Sequence, residues 1–239
     1  SHKFLRIGAF QRNTPAQFFS LPLFAEGVAL TFGMAMPGER SDDEDAASFT
    51  WRLSALNSDV DGLLQALTGR GYRSRSVVSD AALEIADDAL RAKGQDPIAA
   101  IVAAHFLLQR RNLDRRADWG QNLARRFQWS PDALLLGAWG QLLFGDGESK
   151  DVIKLLAGVF VAGPPQFTPS RRILRDLLST YRNSDTDAIS LKHRKTLQGL
   201  WIRLGRENRR LIDTGPVYGF ERNYFARRGS SADPEAAKT

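Results

Sequence analysis

The sequence predicts a mainly α protein built of antiparallel helix pairs, with a small β-rich segment at its N-terminal end. Three observations predict it. Apolar residues alternate with period two over Gly27–Met34 and recur at three- and four-residue intervals from about residue 59, the patterns of a half-buried strand and of an amphipathic helix. Phenylalanine is concentrated early (Phe4, Phe10, Phe18, Phe19, Phe24, Phe32, Phe49), whereas the remainder is rich in Ala, Leu and Arg, residues that lose little entropy in a helix. A helix-start signal, Ser or Asp beside Pro, recurs at Pro97 and Pro131, 34 residues apart. The expected organisation is a β-rich segment over 1–55 packed on the helices, a helical repeat domain over 56–225 and a disordered tail over 226–239.

Within the first part, Lys3–Phe10 reads as a strand and Gln17–Phe24 as a second, placed at an edge or bulge by Pro22, which has no N–H for a ladder. Gly27–Met34 sets Val28, Leu30 and Phe32 on one face, Pro37-Gly38 turns the chain, and Ser48–Leu53 returns as a further strand. Helical spacing then begins with Val60, Leu63, Leu64 and Leu67, broken at Gly69 and Gly71. Ser79–Lys93 continues it with Leu83, Ala86 and Leu90, and Gly94 stands where a C-cap belongs. Asp96-Pro97 and Ser130-Pro131-Asp132 open helices running to about Arg111 and Phe144, because a side-chain oxygen caps free amides and the proline ring pre-sets the first turn. Ala117–Phe127 and Lys150–Val161 are their partners, and Thr168-Pro169-Ser170 opens another helix. Asp187–Leu211 is a long basic helix, followed by an aromatic segment (Tyr218, Phe220, Tyr224, Phe225) expected to pack back on the body.

The 34-residue period, the Gly145-Asp146 inter-helix turn and the closing Gly163-Pro164-Pro165 make residues 75–183 resemble the tetratricopeptide-like helical-repeat class. That family's Trp-x2-Leu-Gly-x2-Tyr opening is absent; Leu134, Gly137, Ala138 and Gln141 occupy those places. A β-rich lead-in before such repeats also looks like an accessory region of bacterial multidomain proteins, some of which carry caspase-like peptidase domains, although no peptidase residues are present here. The resemblance implies a fold and a habit of binding partner proteins, not an activity.

Composition narrows the function classes. The chain has 239 residues, 43% hydrophobic and 25% charged, the balance of a globular protein rather than a disordered one. The absence of cysteine excludes thiolate metal sites, disulfides and cysteine nucleophiles. No apolar run reaches the ~18–20 residues of a membrane span, and no leader pattern opens the sequence, so a cytoplasmic location without a membrane partner is expected. The three histidines, His2, His105 and His193, show no metal-ligand spacing, and His105 on an apolar helix reads as a packed structural residue. Neither a phosphate loop nor a Gly-x-Ser-x-Gly elbow occurs. Neither a cofactor, a metal nor catalysis is expected. The acidic stretch Arg40–Asp45 reads as a solvated loop.

Charge is uneven: residues 1–95 carry 10 basic and 12 acidic side chains, residues 96–239 carry 23 and 15. Stacked helix pairs form grooves that hold partner segments, and the arginines at the turns suit an acidic one. The expected function is therefore a non-catalytic protein-interaction or regulatory module, part of a larger bacterial assembly. Its expected partner-binding residues are Arg110, Arg111, Arg115, Arg116, Arg125 and Arg126, with Trp119 and Trp129 as apolar anchors. The alternative is nucleic-acid binding through the basic helix, using Lys192, Arg194, Lys195, Arg203, Arg206, Arg209 and Arg210.

Overall fold

The structure is a computed structural model that describes residues 4–9, 17–34, 49–67, 80–110, 118–144, 149–183, 190–208, 211–212 and 219–221. The protein is mainly helical. Among the described residues the elements run β1 (Phe4–Ala9), β2 (Gln17–Pro22), β3 (Val28–Met34), β4 (Phe49–Ala55), α1 (Ser58–Ala66), α2 (Asp80–Arg91), α3 (Pro97–Gln109) and α4 (Asp118–Arg126). They continue through α5 (Pro131–Phe144), α6 (Ser149–Ala162), α7 (Thr168–Asn183), α8 (Leu191–Asn208), β5 (Leu211–Ile212) and β6 (Gly219–Glu221). The break at Gly69 and Gly71, the acidic stretch 40–45, the Gly145-Asp146 turn and the tail 226–239 lie outside the described residues.

α3 and α5 are apolar around their whole circumference, and such helices must be buried on every side. Each residue from Pro97 to Leu107 is buried, as is each from Pro131 to Ala138. The flanking helices bury one stripe. α1 contributes Val60, Leu63 and Leu64, α2 contributes Ala86 and Leu90, and α8 contributes Leu197, Leu200 and Leu204. All of these belong to one core that also takes in Leu21, Phe24 and Leu53 from the β-rich part.

Asp96 caps α3, its Oδ1 accepting from Ile98 N at 3.0 Å and Ala99 N at 2.9 Å, with Pro97 at the first turn. The same carboxylate reaches back to the β segment, where Ala25 N donates to Oδ2 at 2.6 Å. Asn57 caps α1 by accepting from Asp59 N and Val60 N. Asp61 and Gln65 then tie α1 to β4, through Ala55 N to Asp61 Oδ1 and Gln65 Nε2 to Leu53 O. Gly94 does not take the left-handed cap conformation expected of it; positive φ is found at Gly27 and Gly163. Gly94 is instead a place of close approach, where an added Cβ would stand 3.0 Å from an Arg126 guanidinium nitrogen.

Two sheets form. β3 and β4 pair antiparallel from Val28↔Ala55 to Met34↔Phe49, and a four-stranded sheet has the order β1-β2-β6-β5. β2 is therefore an interior strand, not an edge. Pro22 is tolerated because it stands at the strand end opposite Phe4, beyond the three β2 residues, Gln17 to Phe19, that β6 pairs. The aromatic return expected near residue 220 takes the form of β6, with Phe220 opposite Phe18. The β structure is thus completed by residues that the periodicity placed in the helical domain.

Candidate functional site

α4, α5 and α6 meet through glycine. A Cβ at Gly120 of α4 would lie 2.6 Å from Leu136 O, and one at Gly137 of α5 would lie 2.5 Å from the Ala124 Cβ. The two backbones can approach so closely only because neither position has a side chain. On the other flank, a Cβ at Gly158 of α6 would stand 3.1 Å from Leu134 Cδ1. α4 and α6 consequently rise on either side of α5 and leave a cavity of about 750 Å³ between them, within the size range of ligand sites, about 300–1,000 Å³.

Its floor is Leu134 and Gln141 of α5. One wall is Gln121, Ala124 and Arg125 of α4 with Gln128 and Trp129 from the turn, and the other is Asp151, Lys154, Leu155, Gly158 and Val161 of α6. Lys154, Gly158 and Val161 share a helix face at the i, i+4, i+7 spacing. Gln121 Nε2 donates to Gln141 Oε1 at 2.5 Å inside the cavity. Arg125 donates to Asn122 Oδ1 at the rim. Trp129 stands edge-on to Phe127 at 6.1 Å and is 41% exposed, and Val161 is 85% exposed. The lining thus carries two cations, Arg125 and Lys154, and one carboxylate, Asp151, around an apolar interior.

Of the partner-binding residues expected from sequence, Arg125 and Trp129 meet in this cavity. Arg126, adjacent to Arg125, turns toward Gly94 instead. Trp119 packs on the core with the Lys93 ammonium 4.3 Å from its ring, and the Arg110 guanidinium lies 5.7 Å from the Phe106 ring. Arg111, Arg115 and Arg116 lie outside the described residues. On α8, Arg194, Lys195 and Arg206 are exposed, while Arg203 donates to Phe160 O at 3.3 Å. Lys192 lies in the first turn of α8, and Arg209 and Arg210 are outside the described residues. Sequence reasoning missed Gln121, Gln141, Lys154 and Val161. The last two carry a faint signal, a cation and an apolar residue on one helix face.

A second polar cluster is fully buried where α3, α5 and α7 meet. His105 Nε2 lies 2.7 Å from Ser170 Oγ, and Ser170 in turn hydrogen-bonds the Asp132 carboxylate. Asp132 also accepts from Gln166 N and Phe167 N, each at 3.0 Å, at the start of α7. Burial drives the His105 pKa down to about 3, so the imidazole is neutral, and pushes that of Asp132 up to about 6 against the pull of its hydrogen bonds. Ser170 stands between acid and imidazole, so the acid does not orient a base as a hydrolytic triad requires. With no solvent access the cluster is a tie between helices. Among the described residues there is no group of three or more potential metal ligands, and no helix is long and apolar enough to cross a membrane.

Fold and site together define a layered helical domain: two apolar helices sheathed by amphipathic ones, closed at one side by strands and opened by a groove over α5. Residues 62–203 match the family described as Y4kD C-terminal domain, and the chain belongs to that family. The match covers the helical body from α1 into α8 and leaves the strands outside it. No curated protein and no solved structure matches the chain.

Proposed function

We propose that the protein is a non-catalytic interaction or regulatory module, an accessory part of a larger assembly, whose α4–α6 groove holds an acidic, partly apolar segment of a partner protein. The observation that carries this reading is the groove itself, with Arg125 and Lys154 on opposite walls and Trp129, Leu134, Leu155 and Val161 between them. An exposed tryptophan over an apolar cavity is the kind of residue that dominates binding energies, and flanking cations favour carboxylates. The 34-residue recurrence of the helix starts supports reading α3–α4 and α5–α6 as degenerate tetratricopeptide-like units.

The test is affinity capture from lysate of the source organism after nuclease treatment, comparing the native chain with Trp129→Ala and Lys154→Glu. A defined protein retained by the native chain and reduced about tenfold by either variant is expected. Equal capture by all three chains would refute the groove as the binding surface.

A second reading rests on α8. Leu191, Arg194, Lys195, Gln198, Ile202 and Arg206 share its exposed face, and three cations on one face suit a polyanion. Nucleic-acid binding there would weaken steeply with salt, and Arg194→Glu with Lys195→Glu would abolish it while leaving the groove untouched.

A further inference from the structure

We infer that the groove reads an extended main chain, using the Gln121–Gln141 amide pair as its recognition element. The inference rests on the groove being a partner-binding site and specifies what enters it.

The two side chains come from different helices and meet where the α4 wall joins the floor, Gln121 Nε2 donating to Gln141 Oε1. A primary amide has two N–H donors and a carbonyl with two lone pairs. The mutual bond uses one donor and one lone pair. Among the described residues neither side chain makes a second hydrogen bond. Both are half-buried, beside Ala124, Leu134, Leu155 and Gly158. Their remaining polar atoms are not sealed off from the cavity, so a ligand can meet them in exchange for water.

A peptide unit offers what the pair lacks, one N–H and one carbonyl in fixed relation. An α-helical partner has spent those groups on its own ladder, so it would bring only side chains to the amides. An extended segment presents them laterally. Its side chains also alternate in direction, which matches cations standing on opposite walls, Arg125 on α4 and Lys154 on α6. The occupant is therefore an extended stretch of a partner protein in which adjacent acidic residues point one to each wall, set between aliphatic or aromatic ones.

The test uses the full chain and two pools of short fluorescent peptides, capped at both ends, with adjacent pairs of Asp or Glu set between Leu, Val or Phe. The second pool is N-methylated on alternate backbone nitrogens, which removes donors and keeps the side chains. Fluorescence polarisation should show binding of the first pool, about tenfold weaker for the second pool and for the Gln121→Leu, Gln141→Leu double variant. Thermal unfolding of that variant should match the native chain. Equal affinity for both pools overturns main-chain reading; if Lys154→Glu nonetheless weakens both pools, the groove stands as the site. Binding that neither Lys154→Glu nor Trp129→Ala weakens overturns the groove as well. No binding of either pool overturns the extended acidic occupant, and lysate capture then decides the groove separately.

Discussion

The start of α3 and the start of α5 carry the same signal 34 residues apart, yet the structure uses them differently. At the first, Asp96 caps its own helix and holds Ala25 of the β segment. At the second, Ser130 takes the capping role, its Oγ accepting from Ala133 N at 3.2 Å. The following acid, Asp132, occupies the place that Ile98 holds one period earlier. Both side chains are fully buried. Ile98 meets apolar neighbours, while Asp132 accepts the amides that open α7 and joins Ser170 and His105. One substitution between units converts an apolar contact into a polar strut to the next helix. Local sequence thus specifies that a helix begins, and burial decides what the acid at its beginning does.

The largest expected effect comes from breaking that strut. Asp132→Ala leaves two amides and a serine hydroxyl without their acceptor, each costing about 1–3 kcal/mol, so urea unfolding should show a loss of at least about 3 kcal/mol. Asp132→Asn keeps an acceptor and should lose much less. Next is Gly137→Ala, whose new methyl would meet the Ala124 Cβ at 2.5 Å. A loss of about 1–3 kcal/mol is expected from such overpacking, although Ala103, one period earlier, carries its methyl in a fully buried place.

Acid titration sharpens the comparison further. His105 has its pKa lowered to about 3 by burial, so its contribution to stability is present above about 6.5 and is lost as pH falls toward 3. Asp132 has its pKa raised to about 6, so it favours the folded state below about 3.8 and loses that contribution as pH rises through 6. Between about pH 6 and 4 the two oppose each other. Asp132→Asn should therefore lose stability more steeply than the native chain on acidification over that window, and His105→Gln should lose less. Denaturation midpoints measured at each pH would show parallel curves if the cluster does not titrate in this way. Smallest is Asp96→Ala, which removes the α3 cap and the tie to Ala25, bonds that lie where water can replace them, at about 1–2 kcal/mol, measured by the same unfolding curves. A loss equal to that of Asp132→Ala would erase the distinction between the two starts.

Much of this was legible in the sequence. Helical periodicity located all eight described helices, and Asp96-Pro97 announced the cap that forms. His105 on an apolar helix is the buried, hydrogen-bonded residue it resembled. β5 and β6 escaped because two or three residues cannot display alternation. Asp132 stood in the Ser130-Pro131-Asp132 helix-start signal, and nothing local shows that α7 covers it. The pair Arg125-Arg126 is split for a geometric reason: neighbours on a helix point about 100° apart, so Arg125 reaches the cavity while Arg126 crosses to Gly94. The groove depends on which faces of α4 and α6 flank α5. Two glutamines twenty positions apart give no sign that they touch.

The pairing of β2 with β6 has a kinetic consequence. Gln17 opposes Glu221, so this short ladder closes a loop that contains every described helix. Contacts so remote along the chain must wait for the intervening residues to be ordered, because closing a long loop is entropically unfavourable until neighbours reward it. Helix pairs such as α4–α5 and α5–α6 join residues close in sequence and have no such delay. On refolding, the residues of β2 and β6 that pair with each other should gain hydrogen-exchange protection after the helices do. In the native state they should be the first to surrender it.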